Sequence, residues 1–457
     1  MKFKPYSKYV DSGVEWLGEI PEGWQKQCVK FATTIELSNV DKHAVEGEPD
    51  VFLCNYTDVY TNSVLTNKID YMKATATLEQ INRLRLSEGD VVITKDSETP
   101  NDIGIPSLVI DTQSNLVCGY HLAVLRPNVN HLIGGYLVWF YRSKNAKSYF
   151  ETEAVGMTRY GLGKHSIATH RIPIPPLPVQ RKITSFLNSS TARIDSLVHD
   201  YEELIALLQE KRQALISHAV TRGLSELVRS DDPDYGEWAK PVKFVDSGVE
   251  WLGEIPEGWM VNRISRLYFE RNEVGSPELP ILSVSIHAGV SDKELDEKEM
   301  DRKVTRSEDR EKYKKVVVND LTYNMMRAWQ GGFGAVSTNG MVSPAYVVAR
   351  PKTNLDSRYF EDILRSPNAI EQMRVLSRGV IDFRLRLYWD EFKTICVPCP
   401  SVAEQKAILD YVSRETVKID ALVKETQDAI ELLKEHRAAL ITNAVTGKIN
   451  VEDWAEA

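Results

Sequence analysis

Leu187, Ile194, Leu197, Tyr201, Leu204, Leu208 and Leu215 follow one another at alternating steps of three and four, with polar Ser190 and Lys211 completing the series. This spacing draws one stripe along an α-helix and forms a heptad seam. A later segment repeats it with Val412, Ile419, Leu422, Ala429, Leu433 and Leu440, while Val198, Ile205, Val423 and Ile430 widen the stripe. Pro175-Pro176-Leu177-Pro178 and Pro398-Cys399-Pro400-Ser401 mark the helix starts, and Gly223 and Gly447 the ends. Each helix is expected to run for roughly 40 residues, or ~60 Å at its rise per residue. A lone helix of that length would hold its seam in water, so each is either an ordinary core helix or one of a packed pair. A packed pair is expected. It assigns packing to Leu187, Ile194, Leu197, Leu204, Leu208 and Leu215 on the first helix and to Ile419, Leu422, Leu433 and Leu440 on the second.

The two helices belong to a larger duplication. Residues 10–24 read VDSGVEWLGEIPEGW, and residues 245–259 read the same fifteen letters again. The segments opening at Gln180-Arg181-Lys182-Ile183 and Gln405-Lys406-Ala407-Ile408 are also related, at an offset of 225. Each half therefore runs from a short frame motif through a block, 24–180 or 259–405, into a long helix. The block sequences look largely unrelated. A period this long in two copies does not make a solenoid. Because each helix follows an equivalent block, the two are expected to lie antiparallel, giving internal two-fold pseudosymmetry. The blocks read as mixed α/β (α+β). Candidate strands are Asp90–Thr94, Leu122–Leu125, Ile281–Ser285 and Ala345–Ala349, and candidate helices span 133–143 and 357–376.

Composition adds bounds to this outline. The chain has 457 residues, 42% of them hydrophobic and 26% charged, which fits a globular protein of about three domains' length. Its 56 Lys and Arg against 65 Asp and Glu give a charge of −9, so nucleic-acid binding would rest on local patches. No apolar run is long enough for a membrane span, and Met1-Lys2-Phe3-Lys4-Pro5-Tyr6 lacks a signal-peptide core, so a cytoplasmic location is expected. The five scattered cysteines suit reduced thiols.

No catalytic constellation is assembled in the sequence. Asp232-Pro233-Asp234-Tyr235 approaches the Asp-Pro-Pro-Tyr motif of amino-methyltransferases, but its third residue differs and no glycine-rich cofactor loop precedes it; a polar linker is the simpler reading. Gly331-Gly332-Phe333-Gly334 lacks the spacing of a phosphate loop and reads as a turn. Cys396-Val397-Pro398-Cys399 has no second ligand pair, so no metal site is expected.

Binding chemistry is richer. Arg302, Lys303, Arg306, Arg310, Lys312, Lys314 and Lys315 fall within fourteen residues and outnumber the local acids Glu308, Asp309 and Glu311. They form either a phosphate-neutralising patch or a solvated charged segment. Asn324, Arg327 and Gln330 crowd a strand end, and Lys95 and Asn101 lie in a polar loop at an equivalent place in the first block. Amides can pair with adenine and guanidinium with guanine; a plain surface turn is the alternative. Arg159 and Lys164 precede the first long helix. Arg384, at the 225-residue offset from Arg159, precedes the second. These residues contact DNA backbone or serve surface ion pairs.

The frame motif Asp11–Trp24, its second copy, the Pro-rich leads into Gln180 and Gln405, and the two heptad helices together resemble the specificity subunit of type I restriction-modification systems. The likeness spans nearly the whole chain. It implies a frame repeat at 1–24, a first target recognition domain at 25–178, a central spacer helix at 179–223, and a linker with the second frame repeat at 224–259. A second target recognition domain at 260–403, a C-terminal spacer helix at 404–447 and a tail at 448–457 follow. It also implies a non-catalytic subunit that reads a bipartite, asymmetric target in double-stranded DNA. Two modification (methyltransferase) subunits and the restriction (translocase/endonuclease) subunits would then carry S-adenosylmethionine, ATP and Mg2+, with no cofactor on this chain. The rival readings are a self-sufficient DNA methyltransferase or nuclease with two recognition domains, and a scaffold that binds only proteins.

Overall fold

The computed structural model describes residues 4–276, 278–286, 289–291, 312–379 and 385–454. The chain divides into two compact units, Met1–Glu202 with Gln427–Ala457, and Glu203–Thr426. Both divisions fall inside a long helix. Each unit therefore combines a frame motif, a block, the start of the helix that follows that block and the end of the other helix. In the first unit the two chain ends meet: Asn450 N donates to the Lys4 carbonyl at 3.0 Å, and Trp454 packs edge-on against Phe186 at 5.5 Å.

The long helices span Leu177–Arg222 and Val402–Val445. Pro175 and Pro176 precede the first, and Ser401 Oγ accepts from Glu404 N at 3.2 Å to cap the second. Past the C-terminal end of the second, Gly447 takes a φ of +73°, where a Cβ would lie only 2.4 Å from Pro21. Frame residue Pro21 thus seats the helix end, and only glycine admits that approach. Gly223 (φ +76°) ends the first helix in the same way, beside Trp259. Within each unit the two helix segments run antiparallel. In the first unit Arg437 grips Asp195 at 2.7 and 3.1 Å, while Gln180 and Val445 both bond to residues 133–136. In the second, Arg212 grips Asp420 at 2.9 and 3.4 Å, and Trp259 bonds Glu404 at 3.1 Å. The two ion pairs are equivalent under the 225-residue offset.

The seam differs from the expected one in its alternate positions. Leu187, Ile419 and Leu440 are buried, and Ile194, Leu208, Leu215 and Leu433 are partly so. Leu197, Leu204 and Leu422, however, are 38%, 41% and 49% exposed. The covered stripe passes one residue further on, through Thr191, Val198, Ile205 and Arg212, and correspondingly Thr416, Val423, Ile430 and Arg437. The steps are four then three. Thr191 and Thr416 tolerate burial because each hydroxyl donates to the carbonyl four residues back, at 2.7 and 2.8 Å.

The two blocks share a core that is faint in their sequences. In the first, Thr33–Leu37, Leu122–Pro127, Val91–Thr94, Pro106–Val109 and Val64–Leu65 form a sheet in that order. In the second, Tyr268–Glu270, Tyr346–Pro351, Leu321–Asn324 and Phe333–Ala335 do the same. The central strand is buried on both faces: Val91 and Ile93 enter one apolar core and Val92 another. Ahead of that strand each block buries an aspartate against an arginine. Asp90 takes Arg126 Nε and Nη2 at 2.9 Å, and Asp320 takes Arg350 at 2.8 and 2.7 Å. Each carboxylate also accepts a backbone N–H three residues earlier.

Helices behind the sheet dock each block. Tyr136 of helix Gly134–Tyr141 donates to the Val445 and Pro173 carbonyls, and Tyr359 of Ser357–Leu364 donates to the Val220 carbonyl. The continuous helix expected over 357–376 is broken into Ser357–Leu364 and Pro367–Leu376, because Pro367 cannot donate and starts a new helix. Asn145 and Asn368 donate to the Trp16 and Trp251 carbonyls of the frame motifs, at 3.3 and 3.4 Å.

Burial pushes the Asp362 carboxyl up to about 7, and Glu361 adds to the shift against the opposing Arg365, Arg212 and Arg358. The folded carboxyl holds its proton more tightly than the ordinary value of 3.8, so the second unit should lose stability as pH rises from about 4 through 7. Asp362→Asn is expected to leave the melting temperature nearly unchanged at pH 4 and to raise it at pH 8. Calorimetric scans across that range measure the difference, and an equal shift at both pH values would contradict it.

Candidate nucleic-acid interface

In both blocks the chain leaves the central strand at the same place and meets there the loop that leads toward the long helix. Leu162 N donates to the Lys95 carbonyl at 2.7 Å, and Leu387 N to the Met325 carbonyl at 2.9 Å. The first of these loops is closed by Val155 and Gly161, whose backbones exchange hydrogen bonds at 3.1 and 2.9 Å. A Cβ at Gly156 would fall 1.9 Å from the Arg159 carbonyl, so the tight turn needs glycine. Arg378 and Arg386 close the second loop by the same exchange, at 2.9 and 3.0 Å.

The first loop brings Lys95 and Arg159 together. Asp96 Oδ2 accepts from Lys95 Nζ and from His121 Nδ1, each at 2.9 Å. On the far side of the imidazole, Arg159 Nη2 lies 3.4 Å from His121 Nε2. The Lys95 ammonium also sits 4.6 Å above the Tyr120 ring. Burial works against the Asp96 charge, but the hydrogen bonds from His121 and Lys95 and the positive charge of Lys95 outweigh it and hold the carboxyl below its usual range. Asn101 is exposed on the adjoining turn Pro100–Asp102, whose Asp102 bonds Tyr60, one of a stacked pair with Tyr56 at a centroid distance of 5.6 Å. Lys164 stands apart from this cluster, 3.7 Å from Glu36. Asp96, His121 and Tyr120 are not apparent from the sequence pattern; Gly119-Tyr120-His121 just ahead of a strand is the one available signal.

The second block departs from the expected arrangement. Asn324 is buried, and its Oδ1 accepts from Met326 N at 3.0 Å, so it caps a turn instead of facing a ligand. Lys314 donates to the Tyr346 carbonyl at 2.8 Å. Lys315 pairs with Glu273 at 2.9 Å. Glu273 Oε2 also accepts from Arg271 Nε and Nη2, and Lys315 and Arg271 together pull its carboxyl down to about 2. These two lysines are held by internal partners, unlike the free phosphate-binding ammonium groups expected of them. Gln330 is exposed at the end of the turn Ala328–Gln330, and Arg327 is half-buried just before it. Arg302, Lys303, Arg306 and Arg384 lie outside the described residues.

The motifs with partial catalytic likeness have structural places. Asp232 caps Asp234 N and Tyr235 N and bonds Arg414 at 3.1 Å. The Arg414 guanidinium lies 4.5 Å over the Tyr235 ring, so this segment clasps the second long helix. Cys396–Cys399 is a strand paired with Met260–Arg263, and strand alternation turns its two thiols to opposite faces. Among the described residues no group of three or more His, Cys, Asp or Glu is placed to hold a metal, and no helix is long and apolar enough to cross a membrane.

Two duplicated sheet-and-loop blocks thus sit on a repeated frame, each tied to a pair of long helices. Known proteins similar to this chain in sequence and fold are specificity subunits. Residues 49–205 match the family model for the type I restriction modification DNA specificity domain. The chain is 23% identical to the EcoKI specificity subunit of Escherichia coli K12 over 96% of its own length and 92% of that protein's. It is 25% identical to the E. coli EcoBI specificity subunit over 65% of this chain and 62% of that one. Its fold is similar to the crystal structure of the HsdS subunit from Thermoanaerobacter tengcongensis, with a TM-score of 0.54 and 15% identity over 94% of this chain and 98% of that one. A chain from a study of type I R-M complex assembly and conformational transition gives a TM-score of 0.59 at 14% identity, over 93% and 98% of the two chains. Residues 49–205 thus match a type I restriction modification DNA specificity domain, and over nearly its whole length the chain is similar to a type I specificity subunit.

Proposed function

We propose that this chain is the non-catalytic reader of a bipartite, asymmetric DNA target, each block reading one half. The observation that carries the proposal is the duplicated sheet with dissimilar loop chemistry at the same place: Lys95, Asp96, His121 and Arg159 in one block, Met325, Met326, Arg327 and Gln330 in the other. A common frame holding different reading surfaces suits two unrelated half-sites, and side chains at strand ends can present donors and acceptors to base edges. The helix pairs would fix the unread spacing. Two modification subunits would supply S-adenosylmethionine-dependent methylation, and restriction subunits would supply ATP- and Mg2+-dependent translocation and cleavage. Confining the DNA contacts to two loop surfaces reconciles binding with the net charge of −9.

The test is a block exchange. Residues 260–403 are replaced by the equivalent block of another such subunit, and methylated adenines are mapped in a host carrying the partner subunits. One half of the target should change and the other remain. A change in both halves, or in neither, would count against modular reading.

A further inference from the structure

We infer that Arg159, held at one edge by His121, is the guanine-reading residue of the first block. The inference rests on the proposed DNA-reading role and assigns one base contact within it.

Three observations lead there. First, Arg159 and Lys95 are not equivalent cations. The Lys95 ammonium is committed to Asp96 Oδ2 at 2.9 Å and to the Tyr120 face, and little of it reaches solvent. Arg159 is exposed and, among the described residues, has no carboxylate partner. Second, the contact that Arg159 does make is directional. With Nδ1 hydrogen-bonded to a carboxylate, His121 carries its proton on that nitrogen and offers the Nε2 lone pair to Arg159 Nη2. One edge of the guanidinium is thereby oriented, and the remaining N–H groups of this planar fork make no other bond among the described residues. That fork matches O6 and N7 of guanine, the commonest base-specific partner of arginine. Third, the loop is built to present this residue. It is closed at its base by the Val155–Gly161 exchange and by Tyr160–Gly161 pairing with Asp96–Ser97, and its tip carries Met157, 93% exposed. An arginine on a braced loop is preorganised for base contact, whereas one needed only for charge would require no such bracing. His121 and Asp96 act through Arg159 and are positioning residues.

The experiment uses the full chain with its modification and restriction subunits in a host, with methylated motifs read from genomic DNA. Arg159→Lys keeps the charge and removes the fork; His121→Phe keeps a ring and removes both nitrogens. For Arg159→Lys, discrimination at a single guanine of one half-site should fall by roughly 10- to 100-fold, with every other position unchanged. His121→Phe should relax the same position by a smaller factor. A uniform loss of methylation across all positions would assign Arg159 to backbone contact or to folding and overturn the inference. So would an unchanged motif in either variant. Wild-type protein directing no bipartite methylation would overturn the underlying reading; an intact wild-type motif with no guanine that relaxes would overturn this inference alone.

Discussion

Ile419→Asp is expected to unfold the second unit at far lower denaturant than Leu422→Asp, although both place a carboxylate on the same helix three residues apart. Ile419 is 6% exposed and lies on the covered stripe, whereas Leu422 is 49% exposed. Removing the buried isoleucine forfeits about 1.5–3 kcal/mol of apolar burial. The incoming carboxylate must then be desolvated or protonated without a partner, which adds to the loss. At Leu422 the new charge remains in water, and a surface change of that kind typically stays within about 0.5 kcal/mol. Urea unfolding of the full chain, followed by far-UV circular dichroism, measures both. Equal losses would mean that the seam passes through Leu422 after all.

The second large effect is expected at Arg350. Asp320 is fully buried, and its two oxygens are occupied by Arg350 and by the Val317 backbone N–H. Arg350→Met leaves that carboxylate desolvated and unpaired, which typically costs about 3–5 kcal/mol. Removing both charges, Asp320→Asn with Arg350→Met, should recover much of the loss, since the penalty belongs to the orphaned charge. The equivalent Arg126 is more exposed than Arg350, and water can reach its side of the pair, so Arg126→Met should cost less. A double-mutant cycle on each pair, read by equilibrium unfolding, gives the two coupling energies. Similar, near-zero couplings in both blocks would show that the shared Asp–Arg pair does not brace the sheet.

Much of this architecture is legible along the chain. The fifteen-residue repeat, the paired long helices and their proline starts and glycine ends are all local signals. The shared block core is legible too, but faint. Asp90 and Asp320 each precede a strand, Arg126-Pro127 and Arg350-Pro351 each end one, and Arg142-Ser143-Lys144-Asn145-Ala146 is echoed by Arg365-Ser366-Pro367-Asn368-Ala369. These fragments are short, and the intervening loops differ, so the blocks look unrelated until the sheets are superposed in order. The seam shows a different obstacle. Leu197 and Val198, like Leu204 and Ile205, offer apolar side chains on adjacent faces of one helix, so periodicity alone permits either face. The true stripe also contains Thr191 and Arg212, whose polarity hides it; the threonine is satisfied by its own helix and the arginine by Asp420.

The cluster at the strand end of the first block was the least visible part. Lys95 and Arg159 are recognisable as cations in polar loops, but the reason they differ is not. Asp96 and His121, which commit one and orient the other, are distant from Arg159 in sequence and come together only where the closing loop crosses the strand end. The same holds for Lys314 and Lys315, whose positive charge is plain in the sequence and whose internal partners, the Tyr346 carbonyl and Glu273, are not.

The sequence by itself determined the duplication, the two long helices and where they stop, because repeats, helical period and terminal residues are properties of neighbouring positions. Only the tertiary structure decided which helix face is covered, that the units divide within the helices, and which charged side chains are held by internal partners. Those outcomes depend on which of several chemically similar surfaces come into contact, and contact between distant segments is set by packing in three dimensions.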